Sequence, residues 1–340
     1  MSTYLVVGQG SMGKRRVRCL LANGVKPEQI VVFDTRADRL AESAEKHGVR
    51  TVNNIDNLLR DPEVEAVIVS VPGALHLQYV LAAARSGKNW FCEAPLSTSL
   101  DGLDEVIELT GKGIIGAPGC QVLFHPLALA LKAWSQAPTT GRILAGSYSF
   151  GSYLPEWHPY EDYRKFYASN AALGGGNLDV MAQEILWVGW IVDSPIHAVT
   201  CRTSRVGSLE LAGHTPDHQE VIIEFKTGVM VSMHFDLNDR THERWLRLAA
   251  ESSTAKWSTL DAGIKIYDAS ENRWTEQMQP DGFQYETCYQ QEIGKFLRCI
   301  KTREPWPVAL PVVREIVGVL EAVPLSARER RTVELKEVLK

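Results

Sequence analysis

The stretch VVGQGSMGKRR (Val6–Arg16) decides how this 340-residue chain is read. It follows an apolar run, TYLVV, and opens a helix-forming one, with Gly8, Gly10 and Gly13 in the order G-x-G-x-x-G. In that context Gly8 allows the tight turn, Gly10 lets the backbone approach a pyrophosphate, and Gly13 lets helix and strand pack closely. Ser11 and Met12 complete the loop, whose amides at the helix start would receive the diphosphate. The next apolar run ends VVFDTR and places Asp34 about twenty residues beyond the last glycine, where a ribose-binding acid belongs. A carboxylate there accepts from a ribose 2′-hydroxyl and repels a 2′-phosphate, so NAD is the expected cofactor. Arg36, two residues on, stacks on adenine or neutralises a phosphate in the alternative case of NADP.

Outward from this loop the first 125 residues alternate short apolar runs with helix-period segments. Strands are predicted at 4–8, 30–34, 66–71, 90–94 and 113–119, and helices at 11–23, 37–47, 55–60, 76–86 and 99–111. Such alternation means βαβ units with right-handed crossovers, and strands apolar on both faces fit a sheet covered on both sides. After about residue 140 the rhythm changes to strand-like runs: RILAGSYSF, IHAVTCRTS, QEVIIEFKTG, VMVSMHFDL and RWLRLAAES. Thr227-Gly228 marks a hairpin turn between two of them. Helical patterns at 179–192, 286–302 and 308–323 are expected to cover one face of the resulting sheet. The fold class is therefore α/β. A Rossmann doubly wound parallel sheet at residues 1–122 precedes an α+β domain with an open, mainly antiparallel sheet at 123–340.

Composition bounds the function. Hydrophobic residues make up 45% and charged residues 23%, ordinary for a globular protein, and a net charge of −5 argues against a nucleic-acid partner. The one basic run, KRRVR (Lys14–Arg18), reads as a solvated helix face. Six scattered cysteines without a C-x-x-C pair read as reduced, mostly buried thiols. His214, His218, His234 and His242 lack ligand spacing along the chain, so no metal is expected. With no signal core and no membrane-length apolar run, a cytoplasmic enzyme without a membrane partner is the expectation.

Two further segments gather at the carboxyl edge of the first sheet, where open α/β sheets keep their ligands. SVPGALHLQYV follows the fourth strand, with Val71 ending the strand, Pro72 and Gly73 making the turn and His76 opening a helix. His76 reads either as a helix-start histidine bonded to backbone or as a neighbour of the nicotinamide. NWFCEAPLSTS (Asn89–Ser99) ends the fifth strand in Glu93, which either receives backbone amides or lies beneath the nicotinamide ribose or carboxamide. Pro95 stiffens this corner.

These motifs, with GCQVLFHP, GGGNLDVMAQE and a late TVELKEV, resemble the Gfo/Idh/MocA family of NAD(P)-dependent sugar and inositol oxidoreductases along nearly the whole chain. GSYLPEWHPYEDYR (Gly151–Arg164) is similar to a subgroup associated with surface-polysaccharide and nonulosonate sugar pathways. The resemblance implies hydride transfer at a carbinol carbon of a sugar, acidic sugar or nucleotide sugar. It also implies a proton carrier supplied by a lysine in Glu-Lys-Pro and by an Asp and a His one helical turn apart. Laid on this chain, Glu93 and Pro95 match but Ala94 stands in the lysine position. Asp179 fits the acid and Gln183 stands where the histidine would be. Neither alanine nor glutamine moves a proton near neutral pH.

Replacements are sought in WHPYEDYRKFY, the densest polar-aromatic stretch. Trp157 and Tyr160 offer faces for a sugar ring, His158 and Tyr163 can exchange protons, and Arg164 can hold an anionic substituent. The competing reading is a loop pinned by aromatic packing, with Asp162 and Arg164 paired. Gln121 and His125 lie in the family segment near substrate, His125 equally reading as a helix-start residue. The leading function is an NAD-dependent sugar oxidoreductase acting as a homodimer or homotetramer. The alternatives are a catalytically silent dinucleotide- and sugar-binding protein, or an enzyme that uses NAD transiently for epimerisation or elimination.

Overall fold

The computed structural model describes residues 2–339. Its first half runs β1 (Thr3–Val7), α1 (Ser11–Ala22), β2 (Ile30–Phe33), α2 (Ala37–His47), β3 (Arg50–Val52), α3 (Asp56–Arg60), β4 (Val64–Val69), α4 (His76–Arg85), β5 (Asn89–Cys92), α5 (Leu103–Thr110) and β6 (Gly116–Pro118). All six strands pair in parallel, in the order β3-β2-β1-β4-β5-β6. The order reverses direction between β1 and β4, the switch point at which such sheets bind ligands. Residues of β1, β4 and β5 are almost wholly buried, as a sheet covered on both faces requires. The prediction missed β3, a three-residue edge strand too short and too exposed to show an apolar pattern. It also began α5 four residues early, because Ser97 and Ser99 spend their hydroxyl and backbone on a local turn.

The second half continues with α6 (Pro126–Gln136), β7 (Ile143–Gly151), α7 (Leu154–Trp157), α8 (Leu178–Val192), β8 (Ile196–Ser204), β9 (His218–Phe225), β10 (Met230–Asp236), β11 (Arg244–Ala250), β12 (Ser253–Ser258), β13 (Gly263–Asp268) and β14 (Arg273–Met278). Helices α9 (Glu286–Thr302) and α10 (Leu310–Glu329) and the short β15 (Val333–Glu334) complete the chain. Nine strands form one sheet, β14-β13-β12-β11-β7-β10-β9-β8-β15, antiparallel except where β7 meets β10. Gly228 turns the β9–β10 hairpin at φ +83°, as its sequence foretells. Strands β12, β13 and β14 escaped the sequence reading, and so did α6.

By their contacts the residues divide into two compact units, Met1–Gln121 with Gln284–Arg314, and Val122–Phe283 with Glu315–Lys340. This corrects the expected role of the helix at 286–302. Instead of covering the second sheet, α9 packs on α1, and its Ile293, Phe296 and Ile300 join Val6, Val17, Leu20, Ile68 and Phe91 in one core. All six cysteines are buried and none is in a disulfide. No helix among the described residues is long and apolar enough to cross a membrane.

Candidate active site

In the first unit the glycine loop is as tight as its spacing implies. A Cβ on Gly13 would lie 1.8 Å from the Gly8 carbonyl oxygen, and one on Gly8, at φ +93°, would lie 2.5 Å from that of Ser70. At Gly10 the nearest atom would be Arg39 Nη1 at 3.7 Å, which leaves the backbone approachable. Gly10 caps α1, so the amides of Ser11, Met12 and Gly13 open the helix without intrahelical partners. Asp34 stands beside them, its Oδ2 accepting the Gln9 amide at 2.6 Å and its Oδ1 the Arg36 amide at 2.8 Å. Gln9 is wholly buried and braces the loop through Gly8 O and Ser43 Oγ, a role the sequence reading missed. Ser70 Oγ, across from Gly8, is buried without a hydrogen-bond partner among the described residues. A glycine cradle, helix-start amides, a carboxylate with spare lone pairs and an orphaned hydroxyl fit a dinucleotide. Arg36 turns its fork to Asp38.

The corner after β5 is anchored from behind. Glu93 receives Arg16 Nε at 2.5 Å and Nη2 at 3.0 Å, and Arg16 Nη1 lies 2.8 Å from Glu292 on α9. Arg16 and Glu292 are completely buried, and Glu292 also accepts the Cys120 amide at 2.6 Å. Arg16 further lies 4.4 Å over the Phe91 ring. The basic run on α1 is therefore not a uniformly solvated face. Burial pushes Glu292 up to about 7, while Arg16 pulls the other way. His76, buried, sets Nδ1 2.6 Å from Pro95 O and Nε2 2.7 Å from Val71 O, joining the turns after β4 and β5. Its backbone-bonded reading is the one the geometry displays. The Ala94–Pro95 peptide is cis.

In the second unit, α8 carries Asp179 and, one turn on, half-buried Gln183. Tyr167 donates its phenol to Asp179 Oδ2 at 2.5 Å. Tyr167 is the residue that sequence reasoning passed over, although it ends the stretch searched for replacements. The nominated members of that stretch are occupied elsewhere. Tyr163 accepts the Glu210 amide, Arg164 pairs with Asp162, and the Trp157 indole donates to Ser152. His158 faces the Tyr160 hydroxyl at 2.9 Å, and Tyr160 itself is 74% exposed. Trp157, Tyr163, Phe166 and Tyr167 pack around Leu154, Leu209, Leu211 and Leu237, so aromatic packing explains most of the segment.

His125 caps α6, its Nδ1 accepting the Leu127 amide at 3.2 Å. Burial, reinforced by Arg244, lowers it to about 4, which leaves it neutral. Arg244 pairs with buried Glu184, next to Gln183, and the Tyr148 phenol near them is pushed well above its usual range by burial. Sequence gave no signal for this ion pair, because its members sit 60 residues apart. Gln121 is buried and belongs to the first unit. The histidines read as ordinary strand residues include two, His218 and His234, that meet Glu220 on neighbouring strands.

Residues 2–113 match the model of the oxidoreductase family with an NAD-binding Rossmann fold, and residues 128–256 match the GFO/IDH/MocA C-terminal domain. The chain belongs to the Gfo/Idh/MocA oxidoreductase family. It is thus an NAD-binding oxidoreductase. Among curated relatives, inositol 2-dehydrogenase 2 of Saccharopolyspora erythraea is 28% identical over 68% of this chain and 66% of its own length. Myo-inositol 2-dehydrogenase of Thermotoga maritima is 25% identical over 97% and 99%. A levoglucosan dehydrogenase solved with NADH and levoglucosan superposes with a TM-score of 0.85, covering 98% of this chain and 99% of its own at 17% identity, a likeness of fold.

Proposed function

We propose that this oxidoreductase transfers hydride between NAD and a ring carbinol of a cyclic polyol or sugar, with Tyr167 and Asp179 handling the hydroxyl proton. The hydrogen bond from the Tyr167 phenol to Asp179 carries this reading, because it sets an exchangeable phenol proton against a carboxylate one helical turn from Gln183. Bound NAD supplies the hydride acceptor; Gly8, Gly10, Ser11, Met12, Gly13 and Asp34 would hold it. Val71, Pro72, His76 and Glu93 would shape the nicotinamide end. The names of the inositol and levoglucosan dehydrogenases support the substrate class. The likeness of residues 151–164 to nonulosonate enzymes adds acidic and nucleotide sugars to the candidates.

The second reading is a chain that binds NAD and sugar without turnover, and Ala94 and Gln183 favour it. NADH formation is to be measured over a panel of inositols, anhydrosugars, acidic sugars and nucleotide sugars, for the native chain and for Ala94→Lys. Turnover by the native chain rejects the silent reading. Turnover only in the lysine variant rejects Tyr167–Asp179 as a sufficient carrier. A homodimer or homotetramer belongs to the same proposal, supported by exposed Ile222, Met230, Trp274 and Met278 on strands of the second sheet. Sedimentation as a monomer at micromolar concentration would overturn it.

A further inference from the structure

The register of three neighbouring strands assembles a donor set that the chain order hides. His218 and Glu220 are two residues apart on β9 and so share a face, and His234 on β10 lies directly opposite Glu220. His218 Nε2 is 3.2 Å from Glu220 Oε1, and His234 Nδ1 is 2.8 Å from the same oxygen. One ligand atom from each of the three residues falls within 4.8 Å of the others. Bonds of about 2.0–2.1 Å to a tetrahedral ion put neighbouring ligand atoms roughly 3.3 Å apart, so little movement is needed to enclose one.

The outer nitrogens are also held. His218 Nδ1 is 2.8 Å from Ser204 Oγ on β8, and His234 Nε2 is 2.8 Å from Asp236 Oδ2. A histidine aimed inward by a carboxylate or hydroxyl on its other nitrogen is the arrangement that fixes metal-binding imidazoles. Both rings have it. The Glu220 side chain is 54% exposed, which leaves a route in and a coordination position for water.

We infer that His218, Glu220 and His234 form a binding site for a divalent transition ion of the zinc class. Two imidazoles and one carboxylate suit such an ion better than magnesium or calcium, which prefer oxygen ligands. The same geometry serves an ion-paired cluster without metal, in which Asp236 and Glu220 hold a proton on His234 and push it up to about 9. The experiment separates the two. Metal-free full-length protein is titrated with zinc chloride by calorimetry, and with cobalt(II) followed by its visible absorption.

One ion per chain is expected, with tetrahedral cobalt bands. His218→Ala and His234→Ala should each weaken zinc binding more than about 100-fold, and Asp236→Asn about 10- to 100-fold, the usual range for an orienting partner. Exposed His214→Ala should bind as the native chain does. Glu220→Gln, nearly isosteric and on an exposed side chain, keeps the test valid if a histidine variant folds poorly. Failure of the native chain to bind zinc, or binding unchanged in Glu220→Gln and His234→Ala, overturns the site and leaves the ion-paired cluster only.

Discussion

Arg16 grips Glu93 with two parallel nitrogens, at 2.5 and 3.0 Å, so a charge from the helix of the glycine loop fixes the corner that follows β5. The carboxylate at the sheet's edge is thus oriented from inside the domain. Its position does not depend on a lysine at 94.

Replacing Arg16 by Met should strand Glu93 and Glu292 in the interior. Breaking a buried ion pair from one side costs about 3–5 kcal/mol, and urea unfolding should show a loss of that order. The double variant Arg16→Met/Glu292→Gln should recover part of it. A midpoint unchanged in Arg16→Met would contradict the buried geometry.

Glu292 gives a pH dependence of defined sign. Folded, it holds its proton up to about 7, whereas an unfolded glutamate releases it near about 4.3. Between those values the folded chain binds more protons, so this group's contribution to stability falls as pH rises and levels off above neutrality. Denaturation at pH 5, 6, 7 and 8 should therefore show a flatter profile for Glu292→Gln than for the native chain. Equal slopes would show that Arg16 keeps Glu292 ionised throughout.

The glycines separate binding from folding. Gly13→Ala drives a methyl into backbone and should lower the melting temperature sharply. Gly10→Ala meets nothing closer than 3.7 Å and should melt like the native chain. Its methyl nonetheless occupies the approach of the diphosphate, so NAD affinity should drop at least about tenfold, or 1.4 kcal/mol. Fluorescence titration with NAD checks this; unchanged affinity in Gly10→Ala would place the cofactor elsewhere.

Tyr167→Phe deletes one hydroxyl and leaves the ring in its aromatic cluster. If that hydroxyl relays the substrate proton, kcat should fall about 100- to 10,000-fold while the Kd for NAD holds. A loss confined to KM would assign Tyr167 to substrate binding alone.

The cofactor half was legible because its signals are local. The glycine spacing and the acid at the end of β2 fall within a few dozen residues, and each strand–helix alternation is read within its own segment. Most of the second sheet was legible by its period of two. Much of the substrate half was not, since several of its polar partners are distant in sequence. Arg244 finds Glu184 from 60 residues away. In the cofactor half the same holds for one contact, where Glu292 reaches Arg16 from the far end of the chain. His218 and His234 look unrelated until the β9–β10 register places them beside one carboxylate. Polar-aromatic density in WHPYEDYRKFY was a misleading guide, because a small satellite core needs the same residues. The tyrosine bonded to Asp179 stands at its edge.

The return of α9 to the first unit has a consequence for how the chain is made. Ile293, Phe296 and Ile300 complete the core beneath the nucleotide loop, and Glu292 lies against its buried arginine. A ribosome releases those residues only after the whole nine-stranded sheet except β15 has been synthesised. The cofactor domain therefore matures last-in with first-out segments, and a gene fragment ending at residue 122 would encode a domain lacking one wall. Exchange of cofactor domains between relatives must carry the segment 284–314 along with the first 121 residues.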